Sequence, residues 1–454
     1  MAPFANELVG RAEQLDSLDA VLAELDGGRC AGVELVGEPG IGKTRLLAEL
    51  ADRAEDRGHL VLSGSASELE RDLPFWVFVD ALDEYVQGLE PRRLEALDDD
   101  VRTELGYVFP SLARFAAARG AAFQHERYRS HRAVCELLER LTAAKPLVLV
   151  LDDIHWADPA SVELLGALLR RPPDAAVLIA LAVRPRQAPE RLAAALERAH
   201  HGGILARVEV GALTRGEARH LFGKAVTEVA AADLYEESGG NPFYLEQLVR
   251  SLAAGRSAAA PQPPLASLDV PPAVAEAMTE ELTLLSHGAR LVLEGAAVAG
   301  DPFEPELAAA AAATPERSAL EALDELLRLD LVRQTDVPRR FRFRHPLIRR
   351  AVYESTPAGW RLGAHERSSE ALAARGALPG RSRSAAPNQA AALAGARWAA
   401  AAPAARRVAT AAASPCRAQR STWCARSAAV APRAARTSEL RSCAPSRQPA
   451  GVDS

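Results

Sequence analysis

The decapeptide Gly37-Glu38-Pro39-Gly40-Ile41-Gly42-Lys43-Thr44-Arg45-Leu46 carries the residue types that hold a chain of phosphates. Its spacing, G-x-x-x-x-G-K-T, directly follows the short apolar run Val33-Glu34-Leu35-Val36. The glycines let the backbone curl close to an anion, so that successive N–H groups point inward. Lys43 would reach the β- and γ-phosphates as a compact ammonium, and the Thr44 hydroxyl would hold Mg²⁺. The chain has only three lysines, Lys43, Lys145 and Lys224, and one of them stands where this chemistry needs it. Glu38, Pro39, Ile41 and Arg45 complete the segment predicted to wrap the phosphates. Leu46, Leu47 and Leu50 form the apolar stripe of a following helix, whose positive end favours the same anion. A strand leading in and a helix leading out distinguish this pattern from a chance glycine-rich turn and predict a nucleoside triphosphate site.

Asp152-Asp153 closes the apolar run Leu147–Leu151 and supplies the expected second half of that site. Asp152 would hold the metal through water, and Asp153 would orient or activate the attacking water. A solvated turn is the plainer reading of two adjacent acids. Asp153 is one methylene shorter than glutamate, which favours slow turnover. Arg184 directly follows the next predicted strand, where its guanidinium could sense the γ-phosphate or simply sit in a turn before Pro185.

The elements that must position these groups follow from hydrophobic period. Residues 7–26 have helical spacing and stop at Gly27-Gly28; Leu60–Leu62 reads as a second strand. Residues 72–130 are mixed and largely helical, with Phe75, Trp76, Phe78 and Tyr85 as packing residues. An amphipathic helix at 134–141 leads into 147–151, whose unbroken apolarity suits a parallel strand covered on both faces. A helix at 159–170, a strand at 177–183 and a helix to about 199 complete a doubly wound parallel α/β sheet, with ligand at the carboxyl ends of its strands. The expected organisation is a phosphate-loop NTPase domain at 6–205, a helical subdomain at 206–254 and a Pro/Ala/Ser linker at 255–272. A winged-helix-like domain at 273–378 follows, with three helices and a hairpin, and then a basic low-complexity tail at 379–454.

A net charge of −6 conceals that tail, in which residues 380–454 carry twelve arginines against two acids. The rest is acidic and a poor electrostatic match for nucleic acid. The longest apolar strand, Ala175–Val183, is too short for a membrane span, and the first residues predict no secretory signal. Five cysteines without metal or disulfide spacing make the cytoplasm the default.

Several motifs together resemble the STAND-type AAA ATPases, and among them the ATP-binding module of the large LuxR-family transcriptional regulators. They are Leu8-Val9-Gly10-Arg11 with Glu13, the phosphate loop, and Leu151-Asp152-Asp153-Ile154-His155-Trp156-Ala157-Asp158-Pro159. Gly239-Gly240-Asn241-Pro242-Phe243-Tyr244-Leu245 and Phe343-Arg344-His345-Pro346-Leu347 extend the likeness over roughly residues 6–375. The resemblance implies ATP and ADP as ligands with Mg²⁺, and places Val9, Gly10 and Arg11 against base and ribose. It implies that Pro242 approaches the adenine and that His345 reaches the β-phosphate in a closed, ADP-bound form. The local alternatives are that Arg11 caps or pairs with a helix, that Pro242 ends one, and that His345 is structural. Trp156 reads as packing and His155 as a supporting group. The resemblance also implies nucleotide-dependent self-association. Family members continue into a helical sensor and a DNA-binding helix-turn-helix; no such module follows residue 375 here, so DNA binding is not carried over.

The tail reads either as a disordered basic segment or as an out-of-frame translation of a GC-rich gene. Ser421-Thr422-Trp423-Cys424-Ala425, shifted in frame with GC-ending codons, becomes (Leu or Val)-Asp-Leu-Val-Arg, a piece of amphipathic helix. Three function classes stay open on these grounds: a nucleotide-dependent switch with slow ATPase activity, a work-producing ATPase, and a truncated nucleotide-binding remnant.

Overall fold

The computed structural model describes residues 8–116, 126–222, 226, 228–254 and 270–376; the tail at 379–454 and most of the expected linker lie outside them. Five runs become the strands of one parallel sheet: β1 (Ala31–Gly37), β2 (Leu60–Ser65), β3 (Leu147–Asp152), β4 (Val177–Val183) and β5 (Leu205–Val210). Their spatial order is β2-β3-β4-β1-β5. The central strands β3 and β4 are buried nearly throughout, as their unbroken apolarity requires, whereas the edge strands β2 and β5 alternate between buried and exposed positions.

Alternate residues of each strand feed two cores. Val33, Leu35, Val148, Val150 and Ala180 pack against α1 (Ala12–Asp26) and α2 (Lys43–Asp56). Leu149, Leu151, Ile179 and Leu181 face the opposite layer. That layer holds α3 (Trp76–Gln87), α4 (Pro91–Glu95), α5 (Asp99–Leu105), α6 (Glu126–Leu141), α7 (Pro159–Arg170) and α8 (Glu190–His201). Helices on both faces of a parallel sheet make this the doubly wound architecture expected of a phosphate-loop NTPase.

Two details differ from expectation. The sheet continues through β5, past the boundary expected at residue 205; Leu205-Ala-Arg-Val-Glu-Val is a half-exposed edge, and its period of two is easily lost after a helix. Beyond it come α9 (Arg215–Phe222), α10 (Glu228–Ser238) and α11 (Pro242–Ala254). Four helices, not three, then precede the hairpin: α12 (Pro272–Thr283), α13 (His287–Ala299), α14 (Pro305–Ala311) and α15 (Glu316–Arg328). The alanine-rich α14 buries small residues such as Ala308 and Ala311 beside a single leucine, Leu307, so its stripe is a weak helix signal in sequence. Strands β6 (Val332–Gln334) and β7 (Phe341–Phe343) pair antiparallel, and α16 (Pro346–Ser355) and α17 (Ala358–Gly376) follow. One continuous apolar core runs from Leu213 to Val352, so α9–α11 and the winged-helix elements are packed as one body. Among the described residues no helix is long and apolar enough to cross a membrane.

Candidate nucleotide site

Strand order decides which groups meet. Since β4 lies between β1 and β3, the residue after β4 falls between the phosphate loop and the acidic pair. That residue is Arg184, whose Nε stands 3.9 Å from Asp153 Oδ1. The tips of β1, β3 and β4 thus bring Lys43, Arg184, Asp152 and Asp153 into one cluster, and Arg184, Asp152 and Asp153 all act on the Lys43 charge.

The loop itself is built for close approach. Gly40 and Gly42 have φ of +70° and +104°, left-handed values that side chains rarely adopt. A Cβ on Gly42 would meet nothing within 4 Å, whereas one on Gly40 would lie 2.8 Å from Phe243 Cβ. One side of the loop is therefore open and the other is packed against the start of α11. Lys43 opens α2 and is buried; its Nζ donates to the carbonyls of Gly37 and Glu38, both at 3.0 Å. Burial, with Arg184 beside it, lowers the Lys43 pKa to about 8 despite the nearby acids. An ammonium so desolvated, with only neutral carbonyls as hydrogen-bond acceptors, is poised to accept a phosphate. Thr44 and Arg45 are exposed on the first turn.

Asp152 ends β3, and its Oδ1 accepts the Asp153 N–H at 2.8 Å. Asp153 has φ +47°, which turns the chain sharply out of the strand. Burial and the neighbouring Asp152 raise its pKa, against the opposing pull of Arg184 and Lys43. A carboxylate made more basic in this way suits proton acceptance. Asp152 and the Thr44 hydroxyl are hard oxygen donors of the kind Mg²⁺ takes beside phosphate oxygens, so the residues present fit that ion.

Residues expected at the base and ribose lie on the far side of the loop. Arg11 is buried, donating from Nη1 to Gly211 O at 2.7 Å and from Nη2 to Ile41 O at 2.9 Å. Its guanidinium thereby ties the phosphate loop to the segment after β5. Gly10, at φ +69°, lies so close to Glu217 that a Cβ would overlap that side chain, and Val9 is half-buried beside it. Pro242 is the first residue of α11, between Asn241 and Phe243, both of which touch the loop.

His345 enters the site by an unexpected route. Its Nε2 stands 3.1 Å from Glu38 Oε2, while Arg333 donates to Glu38 Oε1 and Arg344 Nε lies 3.8 Å from Oε2. Burial of Glu38 opposes its ionisation, but His345, Arg344 and Arg333 outweigh it and hold the carboxyl down at about 2. Burial lowers the His345 pKa against the opposing pull of Glu38, and Nε2–H is the donor to that carboxylate. Gly239, at φ +61°, leaves room for that ring, and a Cβ there would overlap it. Arg344 is in turn pinned by buried Glu281 of α12, at 3.0 and 3.2 Å.

Asn241, Asp158, Arg333 and Glu281 have no role in the sequence reading. Asn241 Nδ2 donates to Pro39 O at 2.9 Å, and Phe243 N donates to Gly40 O at 3.3 Å, so the Gly-Gly-Asn-Pro turn grips the loop backbone. Asp158 accepts from Ala160 N and Ser161 N, capping α7, and also from Phe75 N and Trp76 N at the start of α3. An Asp-Pro pair before an apolar helix is a cap signal that could have marked Asp158. Nothing local marks Arg333 or Glu281.

Residues 7–180 match the AAA ATPase domain family. The chain is 26% identical to an uncharacterized protein of Rhizobium meliloti (strain 1021), over 79% of this chain and 36% of that one. It therefore spans about a third of that relative's length. Among solved structures, the Walker-type ATPase of Pyrococcus abyssi is similar over 77% of this chain and 97% of its own, at 14% identity and a TM-score of 0.49. A STAND protein with a tetratricopeptide repeat sensor from Pyrococcus horikoshii is similar over 83% and 47%, at 15% identity and 0.31. Cdc6p from Pyrobaculum aerophilum is similar over 81% and 96%, at 14% identity and 0.38. Taken with the phosphate loop and the acidic strand end, the match makes the N-terminal part of this chain an AAA-type ATPase domain.

Proposed function

We propose that this chain is a cytoplasmic ATP/ADP switch with slow ATPase activity, the nucleotide-reading part of a LuxR-type regulator or related signalling protein. One observation carries the reading: Glu38 is shared. Its backbone carbonyl accepts Lys43, while its carboxylate accepts His345 and Arg333 from the winged-helix elements. Phosphate binding draws Lys43 off that carbonyl, so the residue that reports an occupied cradle is the one the winged helix holds.

In this reading Gly37–Arg45 wrap the phosphates, and Val9, Gly10 and Pro242 border the adenine. Thr44 and Asp152 hold Mg²⁺, which when bound neutralises charge developing on the phosphates. Lys43 and Arg184 bind the β- and γ-phosphate oxygens, and Asp153 takes the proton of the attacking water. ADP favours the closed contact at Glu38 and His345. The γ-phosphate opposes it and favours self-association of the opened form. A ligand shifts such an equilibrium only by its difference in affinity for the two states.

Hydrogen exchange of β6, β7 and the start of α16 tests this. Protection with ADP should exceed that with a non-hydrolysable ATP analogue. Equal protection with both, at saturation, would show that the winged helix does not respond to the γ-phosphate.

A further inference from the structure

The turn that carries Asp153 also buries His155, which the hydrolytic reading leaves unused. After Asp153 the chain folds at once into a single 3-10 turn, Ile154–Trp156, closed by Trp156 N on Asp153 O at 2.9 Å and Ala157 N on Ile154 O at 3.0 Å. Ile154 and Trp156 anchor that turn in the core, so the residue between them is fixed in direction. The His155 side chain is 0% exposed, and its Nδ1 points at Asp153 Oδ1 from 3.8 Å. Neither ring nitrogen has a hydrogen-bond partner. Arg184 Nε, equally buried and without one, faces the same oxygen from 3.9 Å.

Buried polar atoms are nearly always paired, so two unpaired nitrogens facing one carboxylate oxygen call for an explanation. Packing accounts for only part of it. The His155 ring is tilted 41° against Trp156, with centroids 5.3 Å apart, a contact that any planar side chain would make. Both nitrogens that face Asp153 lie within roughly 1 Å of hydrogen-bond reach, and such bonds are often long before ligand closes the site.

We propose that His155 is a positioning residue for Asp153, donating Nδ1–H to Oδ1 when nucleotide is bound and leaving the second carboxylate oxygen to face water. This rests on the reading of Asp153 as the proton acceptor. Burial, with Arg184 and Lys43 nearby, pushes the His155 pKa down to about 2, so the ring stays neutral and carries one N–H. A neutral donor orients the carboxylate without adding a further positive charge that would weaken it as a base.

The test is ATP turnover by the full chain, with calorimetric affinity for the magnesium complex of a non-hydrolysable ATP analogue, in His155→Leu, His155→Asn and His155→Gln beside Asp153→Asn. The asparagine amide falls near the Nδ1 position and the glutamine amide near Nε2. His155→Leu and His155→Gln should lower kcat about 10- to 100-fold with nucleotide affinity within about twofold, and His155→Asn should recover most of the rate. Equal losses in the asparagine and glutamine variants, or unchanged rates in both, overturn the inference. Should the leucine variant fail to fold, the asparagine–glutamine pair decides alone. If Asp153→Asn keeps wild-type turnover, the base assignment itself fails, and the role of His155 with it.

Discussion

Lys43 touches only neutral carbonyls on the inner side of the phosphate loop, and Gly42 there faces open space. The outer side of the same loop is held by Asn241, Arg333 and His345, which lie 202, 295 and 307 positions from their partners. The inner contacts are of the kind a phosphate displaces, because a charged acceptor outbids a carbonyl for an ammonium. The two contacts to Glu38 are charge-assisted and stand beside the buried Arg344–Glu281 pair, so breaking them leaves the buried His345 ring without its carboxylate. A loop dressed this way can exchange ligands on one side while staying attached on the other. Glu38 is the residue through which the two sides can influence each other.

The largest expected effect lies on the inner side. Asp153→Asn should lower turnover by about 10²- to 10⁴-fold with nucleotide affinity retained, read by phosphate release; a rate near wild type would move the base elsewhere. On the outer side, Arg344→Ala leaves Glu281 buried without its partner and should cost about 3–5 kcal/mol in denaturant unfolding. A loss below about 1 kcal/mol would mean that water already reaches the pair and that the outer side is held no more firmly than the inner. Lys43→Ala should weaken nucleotide binding by about 100-fold in calorimetry, the worth of strong charge-assisted bonds. Its fold should be unaffected, since the bonds lost are to loop carbonyls. Gly239→Ala combines a left-handed φ with overlap of the His345 ring and should destabilise by about 1–3 kcal/mol. Retention of wild-type stability there would show that His345 has somewhere else to go.

Acid sharpens the same contrast by the smallest margin. The Glu38 pKa falls from its ordinary 4.5 to about 2 on folding, so its contribution is full above pH 4.5 and lost as pH drops toward 2. The part of the stability difference between wild type and Glu38→Gln that comes from this carboxylate should therefore shrink steadily as pH falls from 4.5 toward 2. A difference that does not change with pH would mean the carboxylate is not what the winged helix holds.

The inner side was legible because its signals are local. Glycine spacing at 37–42, a lysine at 43 and acids ending an apolar run each state their geometry within a few residues. Arg184 entered because it directly follows an apolar run read as the next strand; that this strand lies between β1 and β3 comes from the structure. The outer side was legible only in part. His345 and Pro242 entered through resemblance, but Glu38 as the partner of His345 did not, since its place in the loop marked it only as part of the phosphate wrap. Arg333 sits in a three-residue strand and Glu281 on a helix otherwise read by its apolar stripe. Their partners are set by how two cores dock, which no period in the sequence encodes. Strand β5 and helix α14 escaped for a different reason: an edge alternation and an alanine stripe are weak signals beside leucine runs.

The most direct measurement is calorimetry of ADP and of a non-hydrolysable ATP analogue, each with Mg²⁺, on the full chain and on Glu38→Gln. The ratio of ADP affinity to triphosphate affinity should fall in the variant, because the closed contact at Glu38 favours ADP while the γ-phosphate contacts of Lys43 and Arg184 are the same in both proteins. An unchanged ratio would detach Glu38 from nucleotide reading, and the absence of heat with either ligand on folded protein would contradict the site itself.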